Sequence, residues 1–191
     1  MEYNKEKKEI ILNKKLTELD KFVLDFINIL KNYADYVIIS GYVSIILGRA
    51  RATEDIDLFI KKIDKNKFLK LYEDLIKNSY WCLNSDSPEE IYDYLIDNLA
   101  VRFAKKDETI PNFEVKFPKT KIDEETFKDC IAVKMPEGSI KISSLEIQIA
   151  FKKYYLKSDK DLEDAKHIEH IFKDKIDIEK VYKYKGILEK R

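Results

Sequence analysis

At 191 residues the chain is long enough for one well-cored domain, with room for a helical appendage, and short for two independent ones. Charged residues are abundant at 38% but balance, Lys+Arg and Asp+Glu standing at 36 each, which excludes a global basic field and leaves any nucleic-acid site to a local patch. An apolar content of 45% excludes a disordered chain, and two cysteines without CxxC spacing give no disulfide framework and no thiolate zinc site.

The first residues, MEYNKEKKEI, are charged and lack the apolar centre of a signal peptide, and no apolar run approaches membrane-spanning length. A cytoplasmic protein without a membrane partner is expected. Residues 6–33 carry Ile10, Ile11, Leu12, Leu16, Leu19, Phe22, Val23, Phe26, Ile27 and Leu30 at helical spacing and predict a helix. Tyr36-Val37-Ile38-Ile39 predicts a buried strand that ends at Ser40-Gly41, followed by a short apolar helix over 42–48 and a basic Arg49-Ala50-Arg51 turn. A strand over 55–60 comes next, then an amphipathic helix over 65–77. Ser87-Pro88-Glu89-Glu90 starts another helix, with a Ser cap, Pro in the first turn and acids behind it. Strands over 99–103 and 113–117 flank a turn at 107–111, and short strands follow at 131–133 and 140–142. Beyond residue 143 the pattern is helical, over 144–156, 160–172 and 178–188. The expected class is α/β (α+β), a small mixed sheet flanked by helices. The expected units are an α/β core at 1–142 and a C-terminal helical part at 143–191, across a soft boundary.

Chemistry concentrates between residues 36 and 60. Asp55 and Asp57 alternate with Ile56, Leu58 and Ile60, so on a strand the two carboxylates share one face. Residues i and i+2 sit about 6–7 Å apart, where two negative charges repel by about 2.5 kcal/mol at an effective dielectric of ~20. A cation between them relieves that repulsion, and hard oxygen ligands suit Mg²⁺ or Mn²⁺. Ser40-Gly41, small residues where a strand opens into a helix, let backbone amides approach a triphosphate, and Ser44 one turn on adds a hydroxyl. Arg49 and Arg51 read as a solvated turn, the fate of most surface arginines. His167 and His170, at i, i+3 with Glu163 a turn earlier, read as a solvated helix face or as a metal site. There is no GxSxG, Walker-type loop or Cys/His pair suited to nucleophilic catalysis.

The series Ser40-Gly41, Gly48, Arg51, Thr53, Asp55 and Asp57 resembles the first two motifs of the nucleotidyltransferase superfamily, and more closely those of the small AbiEii-type (type IV toxin) nucleotidyltransferase-fold proteins. One departure is Ser40, where the family carries Gly. A second resemblance lies in Ser144–Lys153 followed by Ser158–Asp164, where the family has a helix with a Lys and then an Asp-containing segment. Together the two regions cover roughly 50 residues, in the order and separation of the family's motifs. The resemblance implies a third carboxylate ligand from a neighbouring strand, for which Glu114 in the alternating Phe113–Phe117 is the candidate, with Asp107 and Glu108 as alternatives. It also implies that Lys152 and Arg51 compensate triphosphate charge and that Thr53 and Asp161 belong to the nucleotide site. By this resemblance the expected activity is transfer of a nucleoside monophosphate from a nucleoside triphosphate (NTP), with Mg²⁺ or Mn²⁺, to an acceptor hydroxyl. RNA, a tRNA end included, or a protein would be the acceptor, and a cognate antitoxin a partner. The rival expectation is a non-catalytic nucleotide- or protein-binding module on the same fold.

Overall fold

In a computed structural model, which describes residues 1–190, the chain runs β1 (Glu2–Asn4), β2 (Glu9–Ile11), α1 (Glu18–Leu30), β3 (Tyr36–Ile38), α2 (Ser40–Ile46), β4 (Asp55–Ile60), α3 (Lys65–Lys77), β5 (Tyr80–Cys82) and α4 (Pro88–Ile96). It continues through β6 (Val101–Lys105), β7 (Asn112–Lys116), α5 (Lys121–Lys128), β8 (Cys130–Met135), β9 (Gly138–Ser143), α6 (Leu145–Phe151), a π-helical turn at Lys152–Leu156, α7 (Asp159–Ile171) and α8 (Ile178–Leu188). The strands form one mixed sheet in the order β1-β2-β8-β9-β3-β4-β7-β6-β5. Helices flank it, as the mixed α/β pattern predicts. Among the described residues no helix is long and apolar enough to cross a membrane.

The strand alternation sorts the sheet into two faces at its centre. Ile56, Leu58 and Ile60 of β4 are fully buried, and Phe113 of β7 lies on that same side. Helix α1 covers it, stacking Phe26 on Phe113 at 3.9 Å between ring centroids and Phe22 on Phe113 at 4.6 Å. Tyr80 and Phe103 complete this aromatic cluster, whose burial and ring contacts fix α1 against the middle of the sheet. The opposite face of β4 and β7 carries Asp55, Asp57, Glu114 and Lys116, and is the face free for chemistry.

The chain departs from expectation mainly at its start. The single helix expected over 6–33 is two elements: Glu9–Ile11 is a strand, and helix begins only at Glu18. Ile10 is fully buried opposite Val133, in a parallel pairing of β2 with β8 that local periodicity does not contain. The helix start is fixed by a capping box, in which Thr17 Oγ1 accepts from Asp20 N–H at 3.2 Å and Asp20 Oδ2 accepts from Thr17 N–H at 2.9 Å. Strand β5 and helix α5 were not expected. In α5, Asp123 accepts from Lys119 and Thr120 N–H groups at 3.0 and 2.9 Å and so sets its first turn. Strand β1 has no counterpart in the expectation, and the helix expected over 144–156 ends in the π-helical turn; the other elements lie within a few residues of their expected positions, β4 and α3 at the expected bounds.

Candidate functional site

The register of β4 and β7 builds the first half of the site. The parallel pairing sets Asp57 opposite Glu114 and Asp55 opposite Asn112, and antiparallel β6 sets Arg102 opposite Glu114. Lys116, two residues beyond Glu114 on the same strand face, donates from Nζ to Asp57 Oδ1 and to Glu114 Oε1, both at 3.1 Å. Arg102 Nη2 donates to Glu114 Oε2 at 2.6 Å. Asp57 and Glu114 are about five-sixths covered, with side-chain exposures of 17% and 16%. Burial pushes the Asp57 carboxyl above its ordinary range; Lys116 opposes the shift, and Glu114 and Asp55 add to it. Burial pushes Glu114 upward too, but Lys116 and Arg102 outweigh it and hold this carboxyl below the ordinary range. Burial disfavours the Lys116 ammonium, yet Asp57 and Glu114 outweigh that and raise its pKa. Thr53 Oγ1 donates to the Asp55 carbonyl at 2.9 Å, steadying the chain just before the carboxylates.

Hard oxygens on adjacent strands are the donor chemistry that Mg²⁺ or Mn²⁺ takes. Asp55, Asp57 and Glu114 provide it on one face, so the residues present fit a divalent ion in kind. In this arrangement, though, the position between Asp57 and Glu114 holds the Lys116 ammonium, and among the described residues no three His, Cys, Asp or Glu side chains are grouped to hold a metal.

The second part is the turn from β3 into α2. Ile39 N–H donates to the Asp57 carbonyl at 2.9 Å, which fastens the turn beside the carboxylate strand. Ser40 has φ of 60°, the left-handed region that costs a residue with a Cβ about 1–2 kcal/mol. Glycine adopts it freely, so a Gly at this position would relieve that cost. At Gly41 a Cβ would come within 3.0 Å of an Arg51 Nη atom, so the absent side chain is what lets the guanidinium lie against the turn. Ser44 is fully buried in α2 and its hydroxyl has no hydrogen-bond partner, so it backs the turn rather than facing outward.

The third part is a charge cluster around Asp164. This carboxylate, fully buried, accepts from Lys152 Nζ at 2.9 Å, from Arg49 Nε at 2.9 Å and from Arg51 Nη1. Lys152, whose side chain is 2% exposed, also reaches Asp161 at 3.3 Å, and Arg49 pairs with Glu163. Burial would raise the Asp164 pKa; the Lys152, Arg51 and Arg49 cations outweigh it and lower it. Lys152 and Ser40 also line one small cavity of about 40 Å³, with Phe59, Gln148 and Phe151 among its walls. The structure thus brings Ser40, Gly41, Arg51, Lys152 and Asp161 to one side and Asp55, Asp57 and Glu114 to the adjoining strand face. His167 Nε2 lies 3.2 Å from the Leu47 carbonyl, at the end of α2, and Glu163 is engaged by Arg49, so these groups brace α7 on α2.

Two charged side chains, Lys116 and Arg102, are parts of these clusters that the sequence reading does not assign. Lys116 shares the period-two face of Glu114, so the alternation of Phe113–Phe117 contained the signal. Asp164, three residues after Asp161, is expected from sequence to share its helix side, and the structure sets both against Lys152. Arg102 needed the β6–β7 register, which no local pattern supplies.

No protein-family model matches the chain, and no curated protein sequence does. Solved structures do. An antigenic nucleotidyltransferase-like protein from Paracoccidioides brasiliensis aligns with a TM-score of 0.54 at 14% identity, over 90% of this chain and 87% of that one. The solution structure of the antibiotic-resistance factor ANT(2'')-Ia aligns with a TM-score of 0.53 at 15% identity, over 90% of this chain and 91% of that one. Its crystal structure in complex with adenylyl-2''-tobramycin gives 0.51 at 15% identity, over 91% and 96%. The chain has a nucleotidyltransferase-like fold, and at these identities the likeness is one of fold.

Proposed function

We propose that this chain binds an NTP and transfers its nucleoside monophosphate to an acceptor hydroxyl with a divalent cation. One observation carries the reading: on a nucleotidyltransferase-like fold, Asp57 and Glu114 face each other across β4 and β7, and the Ile39 N–H bond to Asp57 fastens the Ser40–Gly41 turn to them. In the reaction the acceptor hydroxyl gives up its proton to water, its oxygen bonds to the α-phosphorus, and the bond from that phosphorus to the pyrophosphate oxygen breaks, so that pyrophosphate leaves. Asp55, Asp57 and Glu114 are the residues that would hold Mg²⁺ or Mn²⁺, which supplies charge neutralisation on attacking and leaving oxygens. Ser40 and Gly41 offer backbone amides to the phosphates, with Thr53 steadying Asp55 and Ser44 backing the turn. Arg51 and Lys152 bring positive charge to the triphosphate side, where Asp164 and Asp161 hold them in place.

The acceptor we favour is an RNA hydroxyl, a tRNA end included, by resemblance to the AbiEii-type toxins; the same resemblance brings a cognate antitoxin as partner. A protein hydroxyl, and an aminoglycoside hydroxyl as in the neighbour's adenylyl-2''-tobramycin complex, are the other acceptors to assay. The test is incubation with each α-labelled NTP, Mg²⁺ and these acceptors. Label transferred to an acceptor with pyrophosphate released is expected, falling at least about a hundredfold in Asp55→Asn and Asp57→Asn, as loss of charge stabilisation at a reacting centre typically costs. Steady release of inorganic phosphate without pyrophosphate sinks this reading. A second reading, a nucleotide-binding module without turnover, is favoured by the Lys116 ammonium already bridging Asp57 and Glu114. It predicts NTP binding with no pyrophosphate from any acceptor.

A further inference from the structure

We propose that Lys116 is a tethered counter-ion that competes with divalent cations for Asp57 and Glu114, so that cation binding requires the ammonium to leave. The proposal rests on reading those two carboxylates as cation ligands, and is independent of whether transfer follows. Its geometry is that of a cation site already filled. Nζ is at 3.1 Å from one oxygen of each carboxylate, between two strands whose register sets the acids face to face. The ammonium comes from the strand that bears Glu114, so its position is set by the same pleat.

Charge decides that the two cations exclude each other. Asp55, Asp57 and Glu114 carry three negative charges, and Lys116 and Arg102 return two, leaving the cluster one negative. A divalent ion that takes the place of the ammonium brings the cluster to neutrality; one that enters beside it leaves an excess of positive charge in a site largely covered from water. Exit is open to Lys116, because its side chain is 26% exposed and its stem is unbranched and flexible. Arg102, held on the other oxygen of Glu114, stays behind and keeps that carboxylate oriented. The protein alone therefore binds bare divalent ions weakly. A nucleotide-borne cation has the advantage, because the triphosphate offers the displaced ammonium a new anionic partner.

The experiment is Mn²⁺ binding to the nucleotide-free protein, by water-proton relaxation and calorimetry, for wild type, Lys116→Met and the double variant Lys116→Met/Asp57→Asn. Lys116→Met is expected to bind Mn²⁺ at least tenfold more tightly than wild type, and the added Asp57→Asn to abolish the gain. Equal or weaker binding by a folded Lys116→Met overturns the proposal. Should that variant fail to fold, the wild type carries the test through acetylation of Lys116 read by mass spectrometry, at Mn²⁺ levels where relaxation has reached its plateau. A several-fold rise in Lys116 labelling supports displacement, and unchanged labelling overturns it. Pyrophosphate release is scored separately. A tenfold gain in Mn²⁺ affinity without transfer defeats the enzymatic reading alone, whereas transfer with unchanged Mn²⁺ affinity defeats this proposal alone.

Discussion

Asp57 and Asp164 are both covered carboxylates with basic partners, yet their surroundings assign them opposite energetic signs. Burial raises the pKa of Asp57, so its ionised form is less favourable in the folded chain than in the unfolded one. A raised carboxyl pKa contributes stability below the unfolded value and loses it as pH rises through the folded one, so at neutral pH Asp57 is a net burden. Asp164 is the reverse, fully buried beneath Arg49, Arg51 and Lys152, with its pKa lowered. Asp57→Asn is expected to leave the thermal midpoint in metal-free buffer at neutral pH unchanged or raised, since Lys116 keeps Glu114. Asp164→Asn strips the shared partner from the covered cations and is expected to cost about 3–5 kcal/mol, as breaking a buried pair does. Thermal unfolding of the two variants side by side checks the contrast; equal losses would refute it.

Among elements, Asp129 does the most joining, since it closes α5 and accepts from Lys8 just before β2, at 3.0 Å, and from Lys180 and Tyr184 of α8, at 2.7 and 2.9 Å. Burial would raise its pKa, but hydrogen bonds from Lys180, Lys8, Ser144 and Tyr184 lower it from 3.8 to about 2. With the folded pKa depressed, the stabilisation is present above pH 3.8 and is lost as pH falls through about 2. It amounts to about 2 kcal/mol, or roughly 4–8 °C for a chain of this size. Asp129→Asn is expected to show that loss at neutral pH, and to narrow its gap from wild type as both are acidified; a gap constant down to pH 2 would count against it. This joint also marks where sequence reading stops. The period of two in Asp55–Ile60 and the Ser87-Pro88 start of α4 are local and were legible. Ile10 and Ile11 carried the same apolar signal for helix and strand, and only β8, far along the chain, decides between them. In the candidate site, Asp55 and Asp57 declare their shared face locally. The placing of Glu114 opposite Asp57 depends on register, and the near-complete burial of Lys152 on contacts with α7.

Taken whole, one sheet runs from β1 at one edge to β5 at the other, and every described strand belongs to it. The only tryptophan, Trp81, lies on β5, with Nε1 donating to the Glu108 carbonyl at 2.8 Å, far along the sheet order from the Asp129 joint. If the sheet unfolds as one cooperative unit, Asp129→Asn shifts the Trp81 fluorescence midpoint and the far-ultraviolet circular dichroism midpoint by the same amount. A fluorescence midpoint left at the wild-type value would divide the molecule in two. The same sheet order sets a schedule for synthesis. Strand β2 takes its parallel partner from β8, whose first contacts with this region span about 120 residues of chain. At a ribosomal pace of about 5–20 residues per second, the nascent N-terminal hairpin waits roughly 6–24 s with Ile10 and Leu12 uncovered. Until β8 emerges, those apolar side chains are a sticky surface, open to aggregation or to whatever chaperone reaches the nascent chain first.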